Sequence, residues 1–190
     1  MCDAEPGREG TSDKDSSKVD ELTERKTDLE WTARYNILLN EDMERYYGLC
    51  DTFCKIVVAL FGTYAFASLF INKSVVYSAC GVVVTALSIL MLVIDFKDKQ
   101  VRARSQRSRY YEALSSVNSI KNDADADAVD VLLSKIAGDD LPAWPVCEAL
   151  AVNNAIDQMG RDVTYKAEVG AFKRMTRYII PWGKPKYGRR

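Results

Sequence analysis

Residues that could carry out catalysis or bind metal are few in this sequence, and they are widely spaced. The 190 residues include no histidine, which removes the commonest general base and the commonest metal ligand. The sequence also lacks a Walker loop, a GxSxG motif, an HExxH motif and a zinc-type cysteine spacing. We therefore predict that the protein is not an enzyme and binds no cofactor or metal.

Two weaker patterns fit structural roles better than chemical ones. Cys50 and Cys54 are one helical turn apart and could offer two metal ligands, but no histidine or further cysteine lies nearby. We interpret them as small apolar residues on a helix face. The acidic stretch 122–127 faintly resembles a cation loop, but it lacks the glycine and the later glutamate of an EF-hand. We expect this stretch to act as a linker and helix cap.

Small and weakly polar residues recur at helical spacing inside two long apolar runs. Such stripes let helices pack closely, and in an oligomer their hydroxyl groups could instead line a wet pore. The two interpretations are compatible if the first stripe packs and the second lines the pore. The first stripe is Ala59, Thr63 and Ala67, and the second is Ser78, Gly81, Thr85 and Ser88.

The apolar runs themselves predict a transmembrane helical hairpin with membrane helices at 53–71 and 75–94. The second run contains 20 residues without a charge, and as a helix it would span about 30 Å, the thickness of the hydrocarbon core. Only Asn72–Ser74 separates the runs, which suits a tight turn. The alternative is a buried hairpin in a soluble domain, but such a helix usually keeps one polar face.

Basic residues flank the predicted membrane helices on one side. Six Lys or Arg residues lie between Lys97 and Arg109, whereas Lys73 is the only charge in the turn. The positive-inside rule then places both termini in the cytoplasm of a cell with the hairpin in its inner membrane. We expect five cationic side chains to contact headgroups or set this topology: Lys55, Lys97, Lys99, Arg102 and Arg104.

A tight turn also predicts that the helices continue as an antiparallel pair beyond the membrane. Residues whose numbers sum to about 146 should lie opposite each other, which pairs Glu44 with Arg102 and Asp42 with Arg104. Tyr46 and Tyr47 precede the membrane by a few residues, so both could lie at the interface near headgroups or pack on a partner helix.

The whole chain is predicted to be all-α. Residues 1–20 are acidic and poor in large apolar side chains, which favours disorder. Residues 21–138 form the two-transmembrane hairpin domain, including a short helix over 129–136. Residues 139–190 form a small C-terminal helical region, with helices near 145–160 and 165–179, and a basic tail.

The layout resembles the SLATT domains, two-transmembrane bacterial proteins of nucleotide-signalling conflict systems. The matching features are WTARYN at Trp31–Asn36, RYY at Arg45–Tyr47, the tight hairpin, and RYYEALSSV at Arg109–Val117. The resemblance covers about Asp28 to Gly138. It implies an oligomeric, pore-forming membrane effector. No fused sensor domain is expected from this sequence, so we expect a separate sensor protein or a nucleotide signal to be the trigger.

Two functions therefore follow from the sequence. The first is a homo-oligomeric, pore-forming effector of a bacterial antiphage or abortive-infection system. The second is a non-conducting membrane anchor or scaffold that recruits a cytoplasmic partner. The lipid bilayer is a partner in both, and nucleic acid is not expected to be one.

Overall fold

The computed structural model describes residues 12–68, 74–160, 166–176 and Gly183. The described residues form six helices, which confirms the all-α class. Two residues of the predicted turn, Asn72 and Lys73, lie outside the described residues, as do residues 1–11, whereas Ser74 begins α2. The helices are α1 (Ser12–Ser68), α2 (Ser74–Ile94), α3 (Phe96–Asn118), α4 (Asp123–Ala137), α5 (Pro145–Met159) and α6 (Ala171–Thr176).

The longest element is α1, a continuous helix of 57 residues and about 86 Å. No proline interrupts it, so the sequence correctly predicts a helix that runs from the packed end of the molecule into the first apolar run. Residues 12–20, for which composition predicted disorder, are helical. Extending an existing helix avoids the cost of nucleation, so polar residues can add turns without burying any surface.

Antiparallel pairing of α1 with α3 is confirmed, with a local shift in the expected ion pairs. Lys26 donates to the carbonyl of Asn118 at 3.4 Å. Close approach continues at Gly48, where an added Cβ would lie 2.6 Å from the side-chain nitrogen of Gln100. Both pairs have residue numbers that sum to within two of the predicted 146.

Glu44 pairs with Arg107 at 3.0 Å and not with the predicted Arg102. The reason is the loop between α4 and α5, because a prediction made from two paired helices takes no account of a third segment that contacts them. Arg102 donates to the backbone carbonyl of Asp139 at 3.0 Å, so its guanidinium is directed towards that loop.

One hydrophobic core lies where α1, α3 and α4 meet. Its side chains occupy one face of each helix at helical spacing, as the apolar periodicity predicted. Five of its members are fully buried: Ala33, Tyr110, Ala113, Val117 and Ala126. The other members are Leu29, Ile37, Ile120, Val129, Leu133 and Ile136.

A second core joins the next turns of α1 to α3 and α5. It comprises Leu39, Met43, Tyr47, Ala103, Cys147 and Ala151. Of the two positions considered for Tyr47, the structure shows packing on partner helices and not an interfacial position, because its ring is buried in this core. Tyr46 is half-buried, and its ring lies 5.9 Å from that of Trp144. The reason is α5, which covers the part of α1 that hairpin reasoning left open.

The junction between α2 and α3 is a single residue, Asp95. Its φ of 44° and ψ of 65° are left-handed, a conformation that Asp tolerates better than most side chains. Its carboxylate accepts a hydrogen bond from the backbone N–H of Asp98 at 3.0 Å, which caps α3. One residue thus separates α2 from α3, with no loop between them.

The short helices begin and end at residues that their sequences specify. Asn122 caps α4 by accepting from the N–H of Asp125 at 2.9 Å, which confirms the expected cap. The expected linker is wrong, because residues 123–127 form the first turns of α4. Pro145 is the first residue of α5, and Gly160 ends it with a φ of 62°. The helix predicted over 165–179 is confirmed only for α6, because 166–170 are not helical and 165 and 177–179 lie outside the described residues. The backbone of Ala167 instead hydrogen-bonds with the Asn153 side chain of α5, accepting at 2.9 Å and donating at 2.7 Å.

Candidate membrane-facing site

The site of interest is the apolar stretch shared by the end of α1 and by α2. Among the described side chains from 55 to 102, none is buried, although the stretch is rich in Val, Ile, Leu and Phe. Leu92 is 84% exposed and Val82 is 66% exposed. Most large apolar side chains in a folded protein are at least half hidden, so this surface departs from an ordinary protein exterior.

The small-residue stripes lie on this exposed surface. Four of their seven members, Ala59, Thr63, Thr85 and Ser88, have exposed side chains, and Gly81 is half-buried with nothing within 4 Å of an added Cβ. The side chains of Ala67 and Ser78 lie outside the described residues. Within one copy, the described members of the two stripes are not buried against each other. Ser88 lies on a cleft between α2 and α1 of the same copy, whereas Ala59, Thr63 and Thr85 are exposed and accessible to a neighbouring molecule.

The two threonine hydroxyls in the stripes are already satisfied by their own helices. Thr85 donates to the carbonyl of Gly81 at 2.8 Å, and Thr63 donates to that of Ala59 at 2.7 Å. Bonds of this i−4 type remove the cost of placing a hydroxyl in an apolar medium. The threonines can therefore face lipid, a neighbouring helix or water with little penalty.

The five cationic residues expected at headgroups fall into two groups. Lys55 forms an ion pair with Asp51 at 2.7 Å, and Lys97 donates to Gln100 at 3.0 Å. Both side chains are exposed at the base of the apolar stretch, and Arg104 is exposed further along α3.

Lys99 and Arg102 instead contact the packed end of the molecule. The amine of Lys99 lies 5.9 Å from the ring centre of Tyr47, in a cation–π arrangement. Arg102 holds the loop at Asp139, as described above. These two residues therefore have structural contacts that the charge pattern did not predict.

A buried polar cluster connects that loop to the helix pair, and sequence reasoning missed it. The hydroxyl of Tyr110 donates to the carboxylate of Asp140 at 2.6 Å. Asn40 and Gln106 are only 2% and 3% exposed and belong to the same α1–α3 interface. The available signal was a set of polar residues at positions that face the other helix of the pair. From the sequence alone they look like surface residues, because the loop that covers them is far along the chain.

Burial changes the titration of this cluster. Burial raises the pKa of Asp140 above its ordinary value, although hydrogen bonds from Tyr110 and Asn40 act in the opposite direction. Burial also raises the pKa of Tyr110, and the hydrogen bond to Asp140 adds to the effect. The Tyr110 hydroxyl therefore stays protonated and donates its hydrogen bond to Asp140. This bond fixes the loop that leads into α5.

Three cysteines of the described region form no disulfide bond: Cys50, Cys54 and Cys147. Burial raises the pKa of Cys50, which disfavours the reactive thiolate. Throughout the described part of the chain, no three His, Cys, Asp or Glu side chains are grouped so as to hold a metal ion.

Comparisons with family models, with curated proteins and with solved structures each returned no match. The resemblance to SLATT domains therefore depends on the sequence features already described. Within 12–68, 74–160 and 166–176, no helix meets the length and apolarity needed to cross a membrane.

Proposed function

We propose that this protein is a membrane protein whose α1–α2 hairpin inserts into a lipid bilayer. The observation that carries the proposal is the absence of any buried described side chain from 55 to 102 in a stretch so rich in large apolar residues. Removing apolar surface from water contributes about 25 cal/mol per Å². Lipid supplies this gain for side chains such as Leu92 and Val93, which are 84% and 74% exposed.

The proposed orientation has both termini in the cytoplasm and the hairpin turn on the far side of the inner membrane. Exposed Lys55, Lys97 and Arg104 support it, because they lie at the end of the hairpin where α3, α4 and α5 pack. Ammonium and guanidinium groups at that level favour the anionic cytoplasmic leaflet.

Self-association through the small-residue stripes is the next part of the proposal. One hairpin cannot enclose a pore, and the exposed Ala59, Thr63 and Thr85 provide a surface on which helices of several copies can approach closely. Space around Gly81 is open, so a neighbouring helix could lie directly against its backbone. A ring of such hairpins would place the hydroxyl of Thr85 around a central passage.

In biological terms, we propose a pore-forming effector of bacterial antiphage defence, in keeping with the resemblance to SLATT domains. The trigger would be a separate sensor protein or a nucleotide signal that acts on the cytoplasmic helices. The buried Tyr110–Asp140 contact supports this arrangement, because it ties the α4–α5 loop to the helix that continues from the hairpin.

Conductance across a planar bilayer tests the pore. The purified protein should conduct, and Thr85→Leu should change the conductance by narrowing the passage and removing a hydroxyl. Val83→Leu is the matched control, because position 83 is on the opposite face of α2. Equal effects of both substitutions would contradict the assignment of the stripe.

A membrane scaffold is the second candidate, and exposed apolar side chains on the packed end favour it. Tyr111 on α3 and Val131 on α4 are 53% and 68% exposed, away from the hairpin. If bilayers stay silent with and without partners, while the full-length protein captures a partner that Val131→Lys releases, the scaffold function is supported and the pore is excluded.

A further inference from the structure

A cleft of about 650 Å³ opens between α1 and α2 at the base of the apolar stretch. Its α1 wall consists of Asp51, Lys55 and Val58. The opposite wall runs from Ser88 at the end of α2 to Lys97 in the first turn of α3. Its volume is within the usual range for small-molecule sites, about 300–1,000 Å³.

Polarity changes from one end of the cleft to the other. Charged groups line one end, where Asp51 and Lys55 face the α2–α3 junction with Asp95 and Lys97. Val58 lies nearly one helical turn further into the apolar run of α1, and Met91 and Leu92 precede the junction by about one turn on α2. An occupant that fits both ends must have a charged head and an apolar tail.

Charge on the walls is balanced, because two carboxylates accompany two ammonium groups. Lys55 uses one donor on Asp51, and Lys97 uses one on Gln100. An ammonium carries three donors, so each lysine can also bind a phosphate oxygen. Asp51 is only 13% exposed, so its carboxylate forms a fixed negative wall beside them.

The left-handed conformation at Asp95 creates this arrangement. It brings the end of α2 and the start of α3 onto the same cleft, with Asp95 between Leu92 and Lys97. One oxygen of the Asp95 carboxylate caps α3. A carboxylate has about four lone-pair sites, so it can accept a further hydrogen bond from a ligand.

From this geometry we propose that the cleft binds a zwitterionic phospholipid whose headgroup ends in a primary ammonium, as in phosphatidylethanolamine. The phosphate lies between Lys55 and Lys97, and the ammonium donates to Asp51 and Asp95. One acyl chain follows Val58 and Leu92 into the bilayer. The inference rests on the proposed membrane insertion of the hairpin.

Competing lipids fit the cleft less well. An anionic phospholipid such as phosphatidylglycerol brings a net negative charge next to two carboxylates and has no cation to pair with them. A choline headgroup carries a cation but no N–H, so it cannot donate to Asp51 or Asp95. The preference should therefore follow the order ethanolamine, then choline, then glycerol.

Native mass spectrometry of the full-length protein in mild detergent tests the preference. The protein is incubated with equimolar ethanolamine, choline and glycerol phospholipids with identical acyl chains, and the retained lipids are counted. We expect the ethanolamine lipid in at least about threefold excess over each of the others, which corresponds to about 0.65 kcal/mol at 25 °C.

Asp51→Asn should reduce that excess to parity, because it removes the wall carboxylate with little change in shape. Glu41→Gln is the matched control, since Glu41 makes the same kind of i,i+4 ion pair with Arg45 but does not line the cleft. If Asp51→Asn fails to fold, Val58→Trp gives a second test. It should lower retention of the ethanolamine lipid by filling the apolar end, whereas Leu60→Trp on the exposed surface should not.

Equal retention of the three lipids, a preference for the glycerol lipid, or equal losses in Asp51→Asn and Glu41→Gln would overturn the lipid site. Flotation with vesicles made of the same three lipids separates this failure from failure of the proposed function. A protein that floats but shows no preference lacks only the site. A protein that does not float with any vesicle lacks both.

Discussion

Large apolar side chains are buried at one end of this molecule and exposed at the other, although α1 belongs to both ends. At the packed end, Tyr110 and Val117 are fully buried among α1, α3 and α4. At the hairpin end, Leu92 and Val82 are mostly exposed. Apolar content alone therefore does not produce a core. The packed end hides its apolar faces because short helices return onto α1, and the hairpin end has no described helix that does so.

The largest effect should come from making the same substitution at both ends. Leu150→Ala, in a side chain only 2% exposed, should lower the free energy of unfolding by about 2–5 kcal/mol, because it leaves a cavity between α5 and its neighbours. Leu92→Ala, at 84% exposure, should change it by less than about 0.5 kcal/mol. Chemical denaturation of the full-length protein in detergent measures both. Equal costs would mean that Leu92 is packed and that the comparison fails.

A charge should also affect the two ends differently. Val82→Lys should cost about 2.5–3.5 kcal/mol of membrane insertion, because the ammonium would lie within hydrocarbon. Val131→Lys is the control, since Val131 has nearly the same exposure, 68% against 66%, but is on α4. Carbonate extraction of membranes should release the first variant and retain the second. Release of both or of neither would count against the proposed insertion.

A smaller effect tests the contact that joins the α4–α5 loop to α3. Tyr110→Phe removes the hydroxyl that binds Asp140 and should lower the free energy of unfolding by about 1–2 kcal/mol. Tyr111→Phe, the exposed neighbour, should have almost no effect. Thermal unfolding of both variants measures the difference in stability. If Tyr110→Phe does not lower the stability, the loop is held by other contacts.

The smallest effect is a dependence on pH at the same contact. Burial raises the pKa of Asp140 above 3.8, so folding favours the protonated carboxyl. Its stabilising contribution is present below pH 3.8 and is lost as the pH rises through the folded-state pKa. The difference in Tm between the natural protein and Asp140→Asn should therefore change in favour of the variant as the pH rises from 3.5 to 7. A constant difference would contradict the raised pKa.

Local features of the fold could be predicted from the sequence. Helical periodicity, the Asn122 cap, Pro145 and Gly160 each act within one or two turns, so a short window contains the needed information. Antiparallel pairing of α1 and α3 could also be predicted, because a three-residue turn leaves no other arrangement.

Features that depend on distant segments could not be predicted. The partner of Arg102 and the burial of Tyr47 depend on the loop at Asp139 and on α5, which lie far along the chain. The cleft depends on the left-handed conformation of Asp95. In the sequence, the uncharged run of α2 is followed directly by the charged start of α3, and this pattern does not indicate which residue will adopt that conformation. The packing or pore-lining role of the small-residue stripes remains a prediction, because one copy of the molecule shows only that most of their described members are exposed.

The most direct test of the account is the environment of position 82 compared with that of position 131. A nitroxide spin label is attached at each position in turn, in a cysteine-free background of the full-length protein reconstituted into vesicles. Power saturation then compares relaxation by oxygen, which concentrates in lipid, with relaxation by a water-soluble nickel chelate. We predict that oxygen dominates at 82 and the nickel chelate at 131. Nickel accessibility at 82 equal to that at 131 would contradict insertion of the hairpin.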